Sequence, residues 1–109
     1  MNDLNSIILE GTTKKDQRYN FVDNEQVTFC RFSVTTKRTV HSENGEKTLE
    51  EYLIPCRAVG SLAMEIGRIL ANTDSRDILL VGELKSDESG VYLFAEHIEY
   101  KLFKNKKSK

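Results

Sequence analysis

Apolar and polar positions alternate with a period of two in four stretches of this chain, a fifth carries a continuous apolar run, and one stretch follows a helical period. The strand-type runs are Ser6–Thr13, Val27–Val40, Leu49–Val59, Asp77–Lys85 and Val91–Tyr100. The helical run, Ser61–Asn72, falls between the third and fourth of them. Side chains two apart on a strand share a face, so Cys30, Phe32 and Val34 form an inward set and Phe29, Arg31, Ser33, Thr35 and Lys37 an outward one. The third run divides the same way, with Tyr52, Ile54, Cys56 and Ala58 against Leu53, Pro55, Arg57 and Val59. In the fifth, Val91, Leu93 and Ala95 alternate against Tyr92, Phe94 and Glu96. The fourth run, Ile78-Leu79-Leu80-Val81, is apolar on both faces and therefore needs cover on both.

The punctuation agrees with this reading. Asn44-Gly45 favours a tight hairpin with positive φ at both positions, and Gly82 permits the bend a small barrel needs. Pro55 has no backbone donor, which predicts an unpaired or edge position there. Ser61 is placed to cap the helix, and Leu62, Ile66, Ile69 and Leu70 form its apolar stripe. Thr12–Arg18 and the stretch from Tyr19 to Glu25 read as loop. Three strands, a short helix and two more strands make the order of an all-β, five-stranded OB-fold Greek-key barrel with its helix between strands 3 and 4.

A length of 109 residues suits one domain, read as residues 5–101 followed by a basic tail at 102–109. No apolar stretch approaches the ~20 residues of a membrane helix, so no membrane contact is expected. Met1-Asn2-Asp3 does not begin a secretory signal. Two cysteines are too few for a disulfide scaffold, and a reducing, cytoplasmic home follows. The net charge of −1 hides an asymmetry: five lysines and no acid lie between Lys101 and Lys109, and the body carries about −6. A basic tail on an acidic body suits contact with a polyanion; a frayed, solvated terminus has the same composition.

Binding a single nucleic-acid strand needs cations along phosphates and exposed rings for bases. Lys14, Lys15, Arg18, Tyr19, Phe29, Arg31, Lys37, Arg38, Tyr52, Arg57, Lys85 and Tyr92 are the available set. Any one of these cations alone reads as a solvated surface charge. Interleaved with rings, with Phe29, Arg31, Lys37 and Arg57 in one strand phase, they read as a binding surface. Arg31 and Arg57 are expected to face solvent. Tyr52 is in phase with the core and reads as a half-buried ring with its hydroxyl outside. Cys30 and Cys56 read as buried small hydrophobes. With His41 and His97 distant and no paired ligand spacing, no metal and no cofactor is expected. Nothing resembling a nucleophile elbow or a phosphate cradle accompanies the cysteines, so no catalysis is expected.

Several segments resemble bacterial single-stranded DNA-binding proteins, in the expected order from residue 5 to residue 101. Asn5-Ser6-Ile7-Ile8-Leu9-Glu10-Gly11 is similar to their "NKVILVG" start, as are Asp16 and Arg18-Tyr19. Arg31-Phe32-Ser33-Val34 resembles their second strand, Leu53-Ile54-Pro55-Cys56 their "FIPC", Leu62-Ala63 their "KLAE" and Val81-Gly82-Glu83-Leu84 their "VEGRL". The compact relative primosomal replication protein N fits through Phe29-Cys30-Arg31-Phe32 and Ala95-Glu96-His97-Ile98-Glu99. Three places where the family sets aromatic stackers hold Val40, Leu53 and Val59 instead. The last hairpin is shortened around Gly90, and the sequence ends in lysines rather than an acidic tip. The resemblance implies sequence-tolerant single-stranded DNA binding in replication, recombination or repair, by a homodimer or homotetramer without enzymatic activity. A primosome-type protein-interaction subunit, with DNA secondary and replication or primosome proteins as partners, is the alternative.

Overall fold

The computed structural model describes residues 4–101; the basic tail at 102–109 lies outside the described residues. Six strands and one helix follow in the order β1 (Ile7–Lys14), β2 (Asn20–Asp23), β3 (Thr28–His41), β4 (Lys47–Val59), α1 (Gly60–Asn72), β5 (Ser75–Asp87) and β6 (Gly90–Tyr100). Five strands close on themselves in the order β1, β5, β6, β4, β3 and back to β1. This is the predicted OB barrel. Two seams close it narrowly. β1 meets β3 only through Thr12↔Thr35 and Thr13↔Val34, and β4 meets β6, in parallel, only through Cys56↔Leu93 and Arg57↔Phe94.

The inward parity set fills the interior. Cys30, Phe32, Val34, Cys56, Ala58, Ile78, Leu80 and Leu93 are all buried. From α1, Ala63, Ile66, Gly67 and Leu70 close one end of the barrel. Pro55 pairs with Ser33 on its β3 side and has no β6 partner, which suits its missing donor. At Gly82 the β5–β6 register shifts, and a Cβ there would come within 2.1 Å of the Phe94 carbonyl oxygen.

Four expectations need correction. The segment after Tyr19 is not all loop: Asn20–Asp23 forms β2 and pairs with Thr28–Arg31. Phe21 opposes Cys30 and lies against Gly67 of α1, and that packing fixes a run too short to show a period. Ser61 does not cap the helix. The chain enters it from extended Val59 through Gly60 at φ +65°, which leaves Ser61 inside the first turn. In the β3–β4 hairpin only Gly45 takes positive φ, at 88°, because Ser42 and Glu46 share the turn's hydrogen bonding. Ser33 is buried despite its outward parity, since its hydroxyl donates to Asp16 Oδ2 at 2.7 Å.

Candidate nucleic-acid interface

β3 and β4 are paired along their whole length, so the outward parity of each strand makes one continuous face. Phe29 opposes Val59, Arg31 opposes Arg57, Thr35 opposes Leu53 and Lys37 opposes Glu51. β6 extends this face past β4, with Phe94 beside Arg57, and β5 extends it again, with Lys85 opposite Tyr92. Four strands at the usual spacing make a path of about 15 Å across the face.

Along that path each ring carries a cation. Arg31 lies 5.7 Å from the centre of the Phe29 ring, Arg57 lies 3.8 Å from that of Tyr92 and Lys85 lies 4.3 Å from that of Phe94. A guanidinium or ammonium over a ring face is held by the ring's quadrupole. The pairing orients each ring against its cation.

The loop after β1 closes the other side of the site. Asp16 positions it: Oδ2 accepts from Ser33 of β3, and Oδ1 accepts from the Arg18 backbone at 2.9 Å. Its carbonyl accepts from the Tyr19 backbone at 3.1 Å. Arg18 and Tyr19 thereby face Arg31, Arg57 and Tyr92 across a cleft of about 560 Å³. Tyr19 is partly buried against the core, and burial raises its hydroxyl pKa. It is a wall of the cleft with Lys15 5.8 Å from its ring centre.

The remaining sequence candidates separate from this group. Lys37 sits farther along the same face, where it pairs with Glu51 at 3.6 Å. Arg38 and Tyr52 have the opposite parity and lie on the reverse of the β3–β4 arm. Tyr52 is exposed there rather than half-buried, and its hydroxyl donates to Glu50. Lys14 ends β1 opposite Ser75. Phe94 was not among the candidates, although its shared parity with Tyr92 was the available signal.

Arg57 also departs from expectation. Its side chain is only 16% exposed, because Asp87 and Ser89 of the β5–β6 hairpin fold over it. Beneath this face, burial pushes the Cys30 and Cys56 thiols up to about 12, so neither is a thiolate near neutrality. Among the described residues, no group of three His, Cys, Asp or Glu side chains is arranged to hold a metal ion, and no helix is long and apolar enough to cross a membrane.

The fold has close counterparts. A deletion mutant of the single-stranded DNA binding protein from Thermus aquaticus superimposes with a TM-score of 0.72 at 19% identity, covering 91% of this chain and 51% of that one. This chain thus spans about half the length of that protein. The Plasmodium falciparum single-stranded DNA binding protein, solved with single-stranded DNA, gives 0.68 at 11% identity over 92% and 96% of the two chains. PriB from Ralstonia solanacearum gives 0.66 at 14% identity over 90% and 98%. No protein-family model and no curated protein matches the sequence. What the likeness shows is the fold: the chain is built on the OB barrel that these DNA-binding proteins and PriB share.

Proposed function

We propose that this chain is a non-enzymatic, cytoplasmic protein that binds single-stranded DNA with little sequence preference, in replication, recombination or repair. The carrying observation is the band of paired rings and cations, Phe29 with Arg31, Tyr92 with Arg57 and Phe94 with Lys85, on the outside of an OB barrel. Rings of any kind accept any base, and cations follow the backbone, so such a band tolerates sequence. The unit that binds is residues 5–101. The relatives solved as single-stranded DNA binding proteins, one of them with DNA, support the same reading.

Oligothymidine titrated against a duplex of equal length tests it, with the single strand expected to bind more tightly. Among the described residues, Arg18, Arg31 and Lys85 have no carboxylate within ion-pair distance. Three neutralised phosphates give a log–log salt slope of about −2 on a single strand. A slope near zero with retained affinity would assign the complex to stacking instead. Absence of binding at low salt would favour the primosome-type interaction subunit, which the likeness to PriB keeps as the second reading.

Self-association belongs to the same proposal. Ile7–Glu10 of β1 have strand partners only in β5, which leaves one edge open up to Gly11, where the chain meets the Thr35 carbonyl of β3. Beside it Ile8 is 71% exposed and opposes Val81, with Leu79 two residues away. An open edge with an apolar face suits a second copy of the chain, in a dimer or tetramer.

A further inference from the structure

Arg31 and Arg57 stand directly opposite each other on β3 and β4, yet they are held differently. Arg31 is exposed and touches one ring. Arg57 is gripped from outside its own strand. Its Nη1 donates to Asp87 Oδ2 at 2.7 Å and its Nη2 donates to Ser89 Oγ at 3.0 Å. Asp87 is itself fixed: its Oδ1 accepts from the Ser89 backbone at 2.8 Å and from the Ser89 hydroxyl at 2.6 Å. The guanidinium carbon meanwhile lies 3.8 Å from the centre of the Tyr92 ring. Asp87 therefore holds the guanidinium at an N–H edge while Tyr92 lies against the same group, and the Asp87 side chain is still 42% exposed. An anion arriving from solvent meets Arg57 at the place the carboxylate already fills. Carboxylate and phosphodiester oxygens engage a guanidinium in the same geometry.

We infer that Asp87 is a built-in competitor for the strand's phosphate: it occupies Arg57 in the free protein and is exchanged for a phosphodiester when a single strand binds. The inference rests on the single-stranded DNA reading above. Two consequences follow from the geometry. Breaking the Arg57–Asp87 pair frees a carboxylate that draws a cation as the phosphate gives one up, so this contact adds little net counterion release. The displaced carboxylate then remains beside the strand and repels it. Asp87 and Ser89 are both exposed in the β5–β6 hairpin, so the exchange asks only for side-chain rotation there. Asp87 thus limits affinity and makes weak, reversible binding a property of the site.

The test compares Asp87→Asn with Glu88→Gln in oligothymidine titrations over a series of salt concentrations. Asparagine keeps an acceptor for Ser89 and removes the charge. Glu88, next in the hairpin, is exposed and makes no ion pair among the described residues. Asp87→Asn is expected to bind about three- to tenfold more tightly at low salt, with a slope steeper by about 0.7. Glu88→Gln, which removes the same charge from the same hairpin, is expected to leave the slope unchanged. Ser89→Ala, which removes one anchor of Asp87, should give a smaller gain in the same direction, and it serves if Asp87→Asn does not fold. Equal gains from Asp87→Asn and Glu88→Gln would overturn the inference, because the acid would then act only through net charge. Weaker binding by Asp87→Asn would overturn it too, making Asp87 a holder of Arg57. A wild-type protein that binds no single strand at low salt would be a separate failure, that of the functional reading itself.

Discussion

The barrel presents two outer faces made by one alternation rule, and they differ in what surrounds their large side chains. Over β3, β4 and β6 the outward rings Phe29, Tyr92 and Phe94 each sit under a cation. Over β1 and β5 the outward side chains Ile8, Leu79 and Val81 sit beside one another, next to an open strand edge. The first face suits a flexible polyanion whose bases supply their own rings. The second suits a flat protein surface that brings its own strand. Parity decides which residues face outward; the chemistry of that outward set decides the partner.

Both faces hang on one core, and removing its largest member should erase the difference between them. Phe32 is 1% exposed, opposes Cys56 and lies directly beneath the cationic face. Phe32→Ala is expected to cost about 3–5 kcal/mol, a large share of the ~5–15 kcal/mol typical of such a domain. Urea denaturation should show the midpoint falling, with strand binding and oligomer mass lost together. Loss of binding with mass retained would mean that the two faces do not share a core.

A subtler pressure falls on the cationic side alone. Cys30 and Cys56 line the inside of β3 and β4, and burial holds both thiols at about 12. A raised folded pKa favours the folded state fully below the unfolded value of about 8.5, and this advantage is lost as pH rises towards 12. Each thiol should then reduce stability by about 1.4 kcal/mol per pH unit above pH 9. Urea midpoints at pH 8, 9 and 10 measure it, with Tyr19 and Tyr100, whose hydroxyls burial also raises, adding to the fall only towards pH 10. Hydrogen exchange should quicken in β3 and β4 before β5. A midpoint unchanged to pH 10 would show that neither thiol is sealed from water.

How far this contrast could be read from the sequence depends on the range of the interaction behind each part. The inward phase of Cys30, Phe32 and Val34, of Ile78 and Leu80, and of Leu93 is a property of neighbours two apart, and it was legible. So was the α1 stripe of Ile66 and Leu70. β2 was not, because Phe21 is fixed by Gly67, far along the chain in a different element. Ser33 looked outward because nothing local shows Asp16 reaching it. In the site, Arg18, Tyr19, Arg31, Arg57 and Tyr92 do line one cleft. The separation of Arg38 and Tyr52 from them was present in their parity. The grip on Arg57 was not visible at all, since it depends on how the β5–β6 hairpin lands.

The sharpest use of the comparison is an exchange of single substitutions, one on each face, with both readouts taken on both proteins. Arg31 is exposed, lies over Phe29 and has no carboxylate partner among the described residues. Arg31→Ala should weaken oligothymidine binding about fivefold and make the salt slope shallower by about 0.7, the share of one phosphate. Its thermal melt and its mass by light scattering should match the wild type, because an exposed cation contributes little to folding. Leu79 lies on the outer side of β5, opposite Glu10, and is only partly buried in the single chain. Glu10 is already paired with Lys101, so Leu79→Glu adds an unpaired carboxylate that a second copy would have to bury. The expected result is a smaller mass at tens of micromolar with affinity per chain for a short oligothymidine unchanged. If each substitution altered both readouts, strand binding and self-association would share a surface, and the division between the two faces would fall.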